Sequence, residues 1–429
     1  MVELKKRETN FQTGFSKIDI TPSQPLPLAG HIARKGLSKG VLNPLQGKSF
    51  LIKDSGEIVA IVVLELLYIS KNWCTEVKRY ISKKTGIKKE NILISATHTH
   101  AGPEIINPDS GKRVSLYFHE LKEKILKLIL DSLSDFEESI LYFGKQGIKG
   151  LAGNRYNLKK EESGEISIIK SENKKGFIKG IFICYGCHPT ILGAENYKFS
   201  GDLFGYAQEK LENILSGQPV VLIANGAGAD VSTRFTRKEQ SYTELKRLGN
   251  ILMENIIKSA DKLPILENSG LNVETKNLKF KTKRLPLLDY AKSVLKRTKN
   301  EFKVERRRVL SEGEMRIWIT KLEGLKTLIK STKEMKYYPE YVTGEIQIIQ
   351  LGEIAIIGIP GEVFQKTEKE ILENVSRLKG VIVGYCNDYL GYFVPSEEWE
   401  ELKYESLVSI LDSSAETKMR KEIIRILNS

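Results

Sequence analysis

The chain has 429 residues, 41% of them hydrophobic, with a formal charge of +13 and a pI near 9.2. This is enough apolar material for one large α/β domain or roughly two to three ordinary ones, and it excludes a disordered chain. Four cysteines are too few for a disulfide framework, and the longest apolar stretch, "IVAIVVLELLYI" at 58–69, is too short for a bilayer span and is interrupted by Glu65.

The N-terminus, "MVELKKRETNFQTG", has charges with no apolar segment behind them, so no secretory signal is expected and the expected compartment is the cytoplasm. "SFLIKDSGEIVAIVVLEL" predicts a hairpin turning at Asp54-Ser55-Gly56, and "NILISAT" at 91–97 a short buried strand. Between 113 and 133, Phe118, Leu121, Ile125, Leu128 and Ile129 share one helical stripe. "GFIKGIFICY" and "QPVVLIAN" read as strands, and "SYTELKRLGNILMENIIKSA" as a helix. Helices dominate 284–335; "GEIQIIQLGEIAIIGIP" then predicts a second hairpin, followed by a helix beginning near Glu362. The expectation is one mixed α/β domain over residues 1–429, a β-sheet core flanked by helices with a charged helical insertion at about 281–336.

The positive charge is densest in that insertion, where apolar residues at helical spacing alternate with Lys, Arg and Glu. This pattern predicts solvated amphipathic helices. Attraction to an anionic membrane surface or an anionic substrate is the other reading. No nucleic-acid partner is expected, because the charge is spread rather than clustered.

Chemistry-bearing residues stand where strands end. "NILISATHTHAGPE" puts His98 and His100 just beyond a buried strand, and "IFICYGCHP" delivers His188 in the same way. Loops past the carboxyl ends of strands are where open α/β sheets bind ligands, and neutral imidazole is a common zinc ligand. Judged on spacing alone, an H-x-H pair is as readily a pair of core or surface histidines. Of the two remaining histidines, His119 lies on a charged helix flank and is expected to be exposed, whereas His31 follows Gly30 in a turn and is placed to line a site.

The run Cys184-x-x-Cys187-His188 has the spacing of c-type haem attachment. The expected compartment weighs against haem, and a redox pair remains open on spacing. Cys184 falls inside an apolar strand, where a free thiol behaves as a small hydrophobe.

"VVLIANGAGADVSTR" runs from a strand into a small-residue loop bearing Asp230 and Ser232, in which Gly226 and Gly228 permit close backbone approach. It lacks the glycine register of a nucleotide site. In "IIGIPGEVF", Glu362 follows Pro360-Gly361, where a carboxylate is also explained as a favourable charge at a helix start.

Taken together, "GFSKIDITP" with "LAGHIARKG", "NILISATHTHAGP", "GNRYN", "CHPTIL", "NGAGADVS", "IPGEVF" and "GYCNDYLGYFVPSEEWEELKYES" resemble, in this order and over residues 14–407, the neutral/alkaline ceramidase family. The resemblance implies a zinc-dependent amidohydrolase that cleaves the N-acyl amide bond of ceramide or a related N-acyl lipid by attack of zinc-bound water. It implies one zinc held by His98, His188, Glu362 and Tyr392, with His100, Arg155, Ser232 and Tyr404 around the substrate carbonyl. Gly30, His31 and Asp230 are assigned to substrate binding. Tyr392 is the second tyrosine of the family's Tyr-x-Gly-Tyr pattern, which leaves Tyr389 to packing. Ser232 is open between nucleophile and oxyanion or positioning residue.

This sequence departs from the family in three respects. The loop reads "GADVSTR" where a proline commonly follows, His31 stands where a tyrosine is usual, and neither the leader nor the C-terminal β-sandwich domain of secreted members is expected. A deacylase or esterase acting on a smaller N-acyl or ester substrate is the alternative enzyme. A basic protein binding an anionic surface or nucleic acid is the alternative outside enzymes.

Overall fold

Period-2 alternation with apolar residues on both faces requires strands covered on both sides, and the computed structural model shows what covers them. It describes residues 11–105, 111–156, 162–267, 270–335, 337–375, 377–399 and 403–429. The charged stretch at 1–10 therefore lies outside the described residues.

In chain order the first strands are β1 (Gln12–Asp19), β2 (Gln46–Asp54), β3 (Glu57–Leu64), β4 (Ile92–Ala96), β5 (Glu137–Lys149), β6 (Gly153–Asn154), β7 (Glu162–Asn173), β8 (Ile178–Tyr185) and β9 (Val220–Asn225). All but β6 form one eight-stranded sheet ordered β4-β3-β2-β1-β5-β7-β8-β9. The expected hairpin is β2–β3; Ser55 and Gly56 take φ of 48° and 88°, the positive pair of a tight primed turn. The short β10 (Val231–Ser232) pairs with β6. A second sheet follows, β11 (Leu271–Lys281), β12 (Tyr341–Leu351), β13 (Ile354–Gly358) and β15 (Lys379–Val383), in that order.

The two sheets stack. Phe50, Ile61, Leu93, Phe182 and Leu222 of the first meet Ile349, Ile354, Ile356 and Val381 of the second. Their sequence alternates, Leu51, Val62, Ile94, Ile183 and Ile223, face helices α1 (Lys71–Thr85), α2 (Gly111–Ser134), α3 (Asp202–Ile214) and α4 (Tyr242–Ala260). On the far side of the second sheet, Ile346, Ile348 and Ile357 pack with residues of two later helices described below. The result is a four-layer helix–sheet–sheet–helix arrangement. The mixed α/β class is as expected; the second sheet laid against the first is not visible in local periodicity.

The insertion forms α5 (Leu288–Glu305) and α6 (Glu312–Met335). His119 on α2 is exposed, as expected. A difference arises at Glu362. The expected helix, α7 (Gln365–Glu373), starts three residues later, and Glu362 instead opens a two-residue strand, β14 (Glu362–Val363). β14 pairs in parallel with β16 (Tyr392–Phe393), so Glu362 is opposite Tyr392 in register. The short α8 (Ser396–Trp399) and α9 (Tyr404–Val408) precede the last helix, α10 (Ala415–Leu427), which with α7 covers the second sheet. Among the described residues no helix is long and apolar enough to cross a membrane.

Candidate active site

Within the two large sheets three strand pairs are parallel among the described residues, β3 with β4, β8 with β9 and β13 with β15, and the loops leaving their carboxyl ends meet. β4 leads to His98 and His100, β8 to His188, β9 to the loop ending at Ser232, and β13 to Glu362. Asn225, at the end of β9, ties two of these loops together. Its side-chain carbonyl accepts from Cys187 N at 3.2 Å, and its amide donates to Thr97 O at 3.1 Å and Cys187 O at 3.0 Å. A Cβ on Gly228 would lie 2.7 Å from Cys187 N, so only glycine lets these loops come so close.

His98, His100 and His188 each offer a ring nitrogen, all within 4.8 Å of one another, and this group could hold a metal ion. His98 Nδ1 lies 2.9 Å from Leu67 O and His188 Nδ1 lies 2.7 Å from Gly228 O. A carbonyl only accepts, so both Nδ1 atoms carry the hydrogen. Burial pushes the His98 ring down to about 4 against the attraction of Glu362, and burial plus the Arg155 charge push His188 down to about 3, so both rings are neutral. Their Nε2 lone pairs then point at Glu362 Oε2, 3.7 Å from His98 and 3.2 Å from His188. Two lone pairs aimed at a carboxylate oxygen repel unless a proton or cation lies between them, which is the donor set a divalent metal fits.

The third imidazole differs. His100 Nε2 is 3.3 Å from His98 Nε2, but its Nδ1 is buried without a hydrogen-bond partner. Metal-ligating histidines almost always anchor their second nitrogen; His98 and His188 do so and His100 does not. Gly30, at φ 94°, packs against the His100 ring so closely that a Cβ there would overlap it. Beside it, His31 donates Nε2–H to Leu192 O at 3.0 Å, its ring held neutral first by burial and then by Arg34.

A cavity of about 80 Å³ opens over the cluster; His100, His188, Gly30, His31, Arg155, Ser232, Tyr392 and Tyr404 line it. The pairing of β6 with β10 fixes the backbone at Arg155, whose N donates to Asp230 O at 2.7 Å. The guanidinium donates to Glu405 Oε1 at 2.6 Å and to Ala229 O at 2.9 Å, while its Nε is buried and unpartnered. Burial and the Glu362 charge hold the Tyr392 phenol protonated, and its oxygen is 3.4 Å from His188 Nε2. Ser232 Oγ accepts from Arg234 N at 3.3 Å, and no imidazole nitrogen is hydrogen-bonded to it among the described residues. Asp230 does not line the cavity. Its oxygens accept from Gln365 N at 3.0 Å and Asn154 Nδ2 at 2.9 Å, so it fastens the start of α7 to β6.

Several residues at the site escape sequence reasoning. Glu405 is fully buried and accepts from both Arg155 and the Tyr156 hydroxyl, the latter at 2.6 Å; its only sequence signal is its place next to Tyr404. Tyr389, expected to be packing, donates to Glu362 Oε1 at 2.6 Å. Tyr385 stacks on His98 with ring centroids 4.3 Å apart. α6 presents Arg316, Thr320 and Glu323 to the cavity at i, i+4 and i+7, so one face of the expected solvated helix is a wall of the site. All four cysteines are free and buried, and burial raises the thiols of Cys184 and Cys187 well away from the thiolate form.

No protein-family model matches the sequence. Among solved structures, the fold is similar to neutral ceramidase from Pseudomonas aeruginosa, with a TM-score of 0.76 and 17% identity, over 97% of this chain and 73% of that one. It is equally similar to a ceramidase complexed with C2, with a TM-score of 0.76 and 16% identity, over 97% of this chain and 74% of that one. The chain therefore has a neutral ceramidase-like fold.

Proposed function

We propose that the protein is a zinc-dependent amidohydrolase that cleaves an N-acyl amide bond. One observation carries this reading: the Nε2 lone pairs of two neutral, carbonyl-anchored histidines converge with Glu362, and one of the two, His188, lines a cavity whose wall also holds a buried arginine and two tyrosines. The neutral ceramidase-like fold supports it. His98, His188, Glu362 and Tyr392 would hold the metal. When bound, zinc supplies Lewis-acid chemistry, polarising a carbonyl and bringing the pKa of water to about 7.

The chain's own groups supply the rest. Arg155 has an unpartnered Nε in the cavity wall, a donor ready for negative charge on the carbonyl oxygen; one such donor is worth about 3 kcal/mol. Tyr404, also in the wall, keeps its hydroxyl hydrogen because burial raises its pKa, and it is a second donor. His100, outside the metal set because its Nδ1 is not anchored, is held neutral by burial, so it takes the proton released by the attacking water and passes it to the leaving nitrogen. Among the described residues no imidazole or carboxylate is hydrogen-bonded to Ser232 Oγ, so it positions rather than attacks.

The cavity favours a small N-acyl or ester substrate over long-chain ceramide. About 80 Å³ is well below the roughly 300 Å³ at which pockets begin to enclose drug-sized ligands. The test is hydrolysis of N-acetyl and long-chain N-acyl amides by purified protein with and without added zinc. Zinc-dependent cleavage of an amide is expected; no cleavage of either amide in metal-loaded protein would overturn the reading.

A further inference from the structure

The lining of the cavity carries four arginines. Arg155, Arg234, Arg237 and Arg316 line it against one carboxylate, Glu323. Arg155 is paired with Glu405, and Arg237 with Glu312 at 3.2 Å. Arg234 and Arg316 have no carboxylate partner among the described residues. Arg234 is 5% exposed, and among the described residues its side chain makes one hydrogen bond, from Nη1 to Arg155 O at 3.1 Å. Burial first, then the Arg155 charge, push it down to about 9, with Tyr156 and Glu405 offsetting part of the shift and Arg316 adding to it. Arg316 is half-buried on α6, near enough to repel Arg237 and His31.

Four guanidiniums gathered in a poorly solvated wall, two of them without a carboxylate partner among the described residues, are costly by themselves, and the cost is relieved by a bound anion. Guanidinium forks match the oxygens of carboxylate and phosphate, whereas a neutral hydroxyl leaves most of their donors unmet. We propose that the substrate carries an oxyanion, a carboxylate or a phosphate, bound by Arg234 and Arg316 of the cavity wall while the amide lies against His100 and His188. This rests on the amidohydrolase reading for the identity of the scissile bond, but not for the anion site itself.

Two experiments separate the claims. In the first, inorganic phosphate and acetate are titrated calorimetrically into the protein at constant ionic strength, with chloride as reference. Wild type should bind one or both, Arg316→Ala should weaken binding at least about tenfold, and Arg316→Lys should recover part of it. Arg316 makes no hydrogen bond through its side chain among the described residues, so these variants should fold, and Arg297→Ala on exposed α5 should bind as wild type does. In the second, matched N-acetyl amides are compared that carry a neutral, carboxylate or phosphate group on the acyl or amine side. The charged amides should exceed the neutral one in kcat/KM by about a hundredfold, a ratio that Arg316→Ala reduces mainly through KM. The better of the two anions identifies the substrate class.

Wild type that binds neither anion above chloride, or Arg316→Ala that binds as wild type does, would overturn the anion site. Cleavage that favours the neutral amide would do the same while leaving the hydrolase reading intact. Anion binding that Arg316→Ala weakens, with no amide cleaved, would support the anion site and overturn the hydrolase reading.

Discussion

Tyr389 donates its phenol hydrogen to Glu362 Oε1 at 2.6 Å, leaving Oε2 to face the Nε2 atoms of His188 and His98. A bond of this length to a carboxylate fixes which oxygen faces the histidines. Tyr389→Phe keeps the ring and removes the donor. Zinc affinity, read by competition with a chelator, should fall about 10- to 100-fold with an unchanged circular dichroism spectrum. Unchanged affinity would show that Tyr389 only packs.

Arg155 and Glu405 form an ion pair with almost no solvent contact. Removing one partner leaves the other charge stranded. Glu405→Ala should therefore cost about 3–5 kcal/mol in urea denaturation, and kcat for amide cleavage should drop by at least about tenfold as Arg155 loses its alignment. An effect under about 1 kcal/mol would mean that solvent reaches the pair.

His100 and His98 approach each other at Nε2, but only His98 is anchored on its far side. His100→Gln should keep close to one zinc per chain and lose about 100-fold or more in kcat. Loss of the metal together with activity would make His100 a ligand and remove the proposed division of roles.

Glu65, at the end of β3, is buried beside Gln208 and accepts from Gln46 N at 2.9 Å. Burial raises it from 4.5 to about 7, with Lys48 offsetting part of the rise. Between those values the folded protein holds a proton that the unfolded chain has released. Stability from this group is full below about pH 4.5 and is lost as pH rises through about 7. The loss amounts to about 3 kcal/mol at most. Melting temperature followed across that range should fall less steeply in Glu65→Gln than in wild type; parallel profiles would refute the assignment.

Much of the site is legible in sequence because apolar runs that deliver histidines are local patterns. His98 and His188 could be found from five residues on either side. The second sheet packed on the first could not, because Leu93 and Ile356 meet only after the chain has folded. Glu362 looked like a helix-start charge because Pro360-Gly361 marks a turn; its ladder with Tyr392 depends on a segment thirty residues later. Asp230 shares a loop with Ser232, yet backbone and amide donors turn it away from the cavity. On α6, the spacing of Arg316, Thr320 and Glu323 was readable, but solvent and cavity are equally polar destinations.

The central claim is a single zinc held by His98, His188, Glu362 and Tyr392. Elemental analysis of protein purified without chelators, wild type beside His98→Ala, tests it most directly. The account predicts about one zinc per wild-type chain and loss of most of it in the variant. A folded wild type containing no metal, or a variant that keeps its zinc, would contradict it.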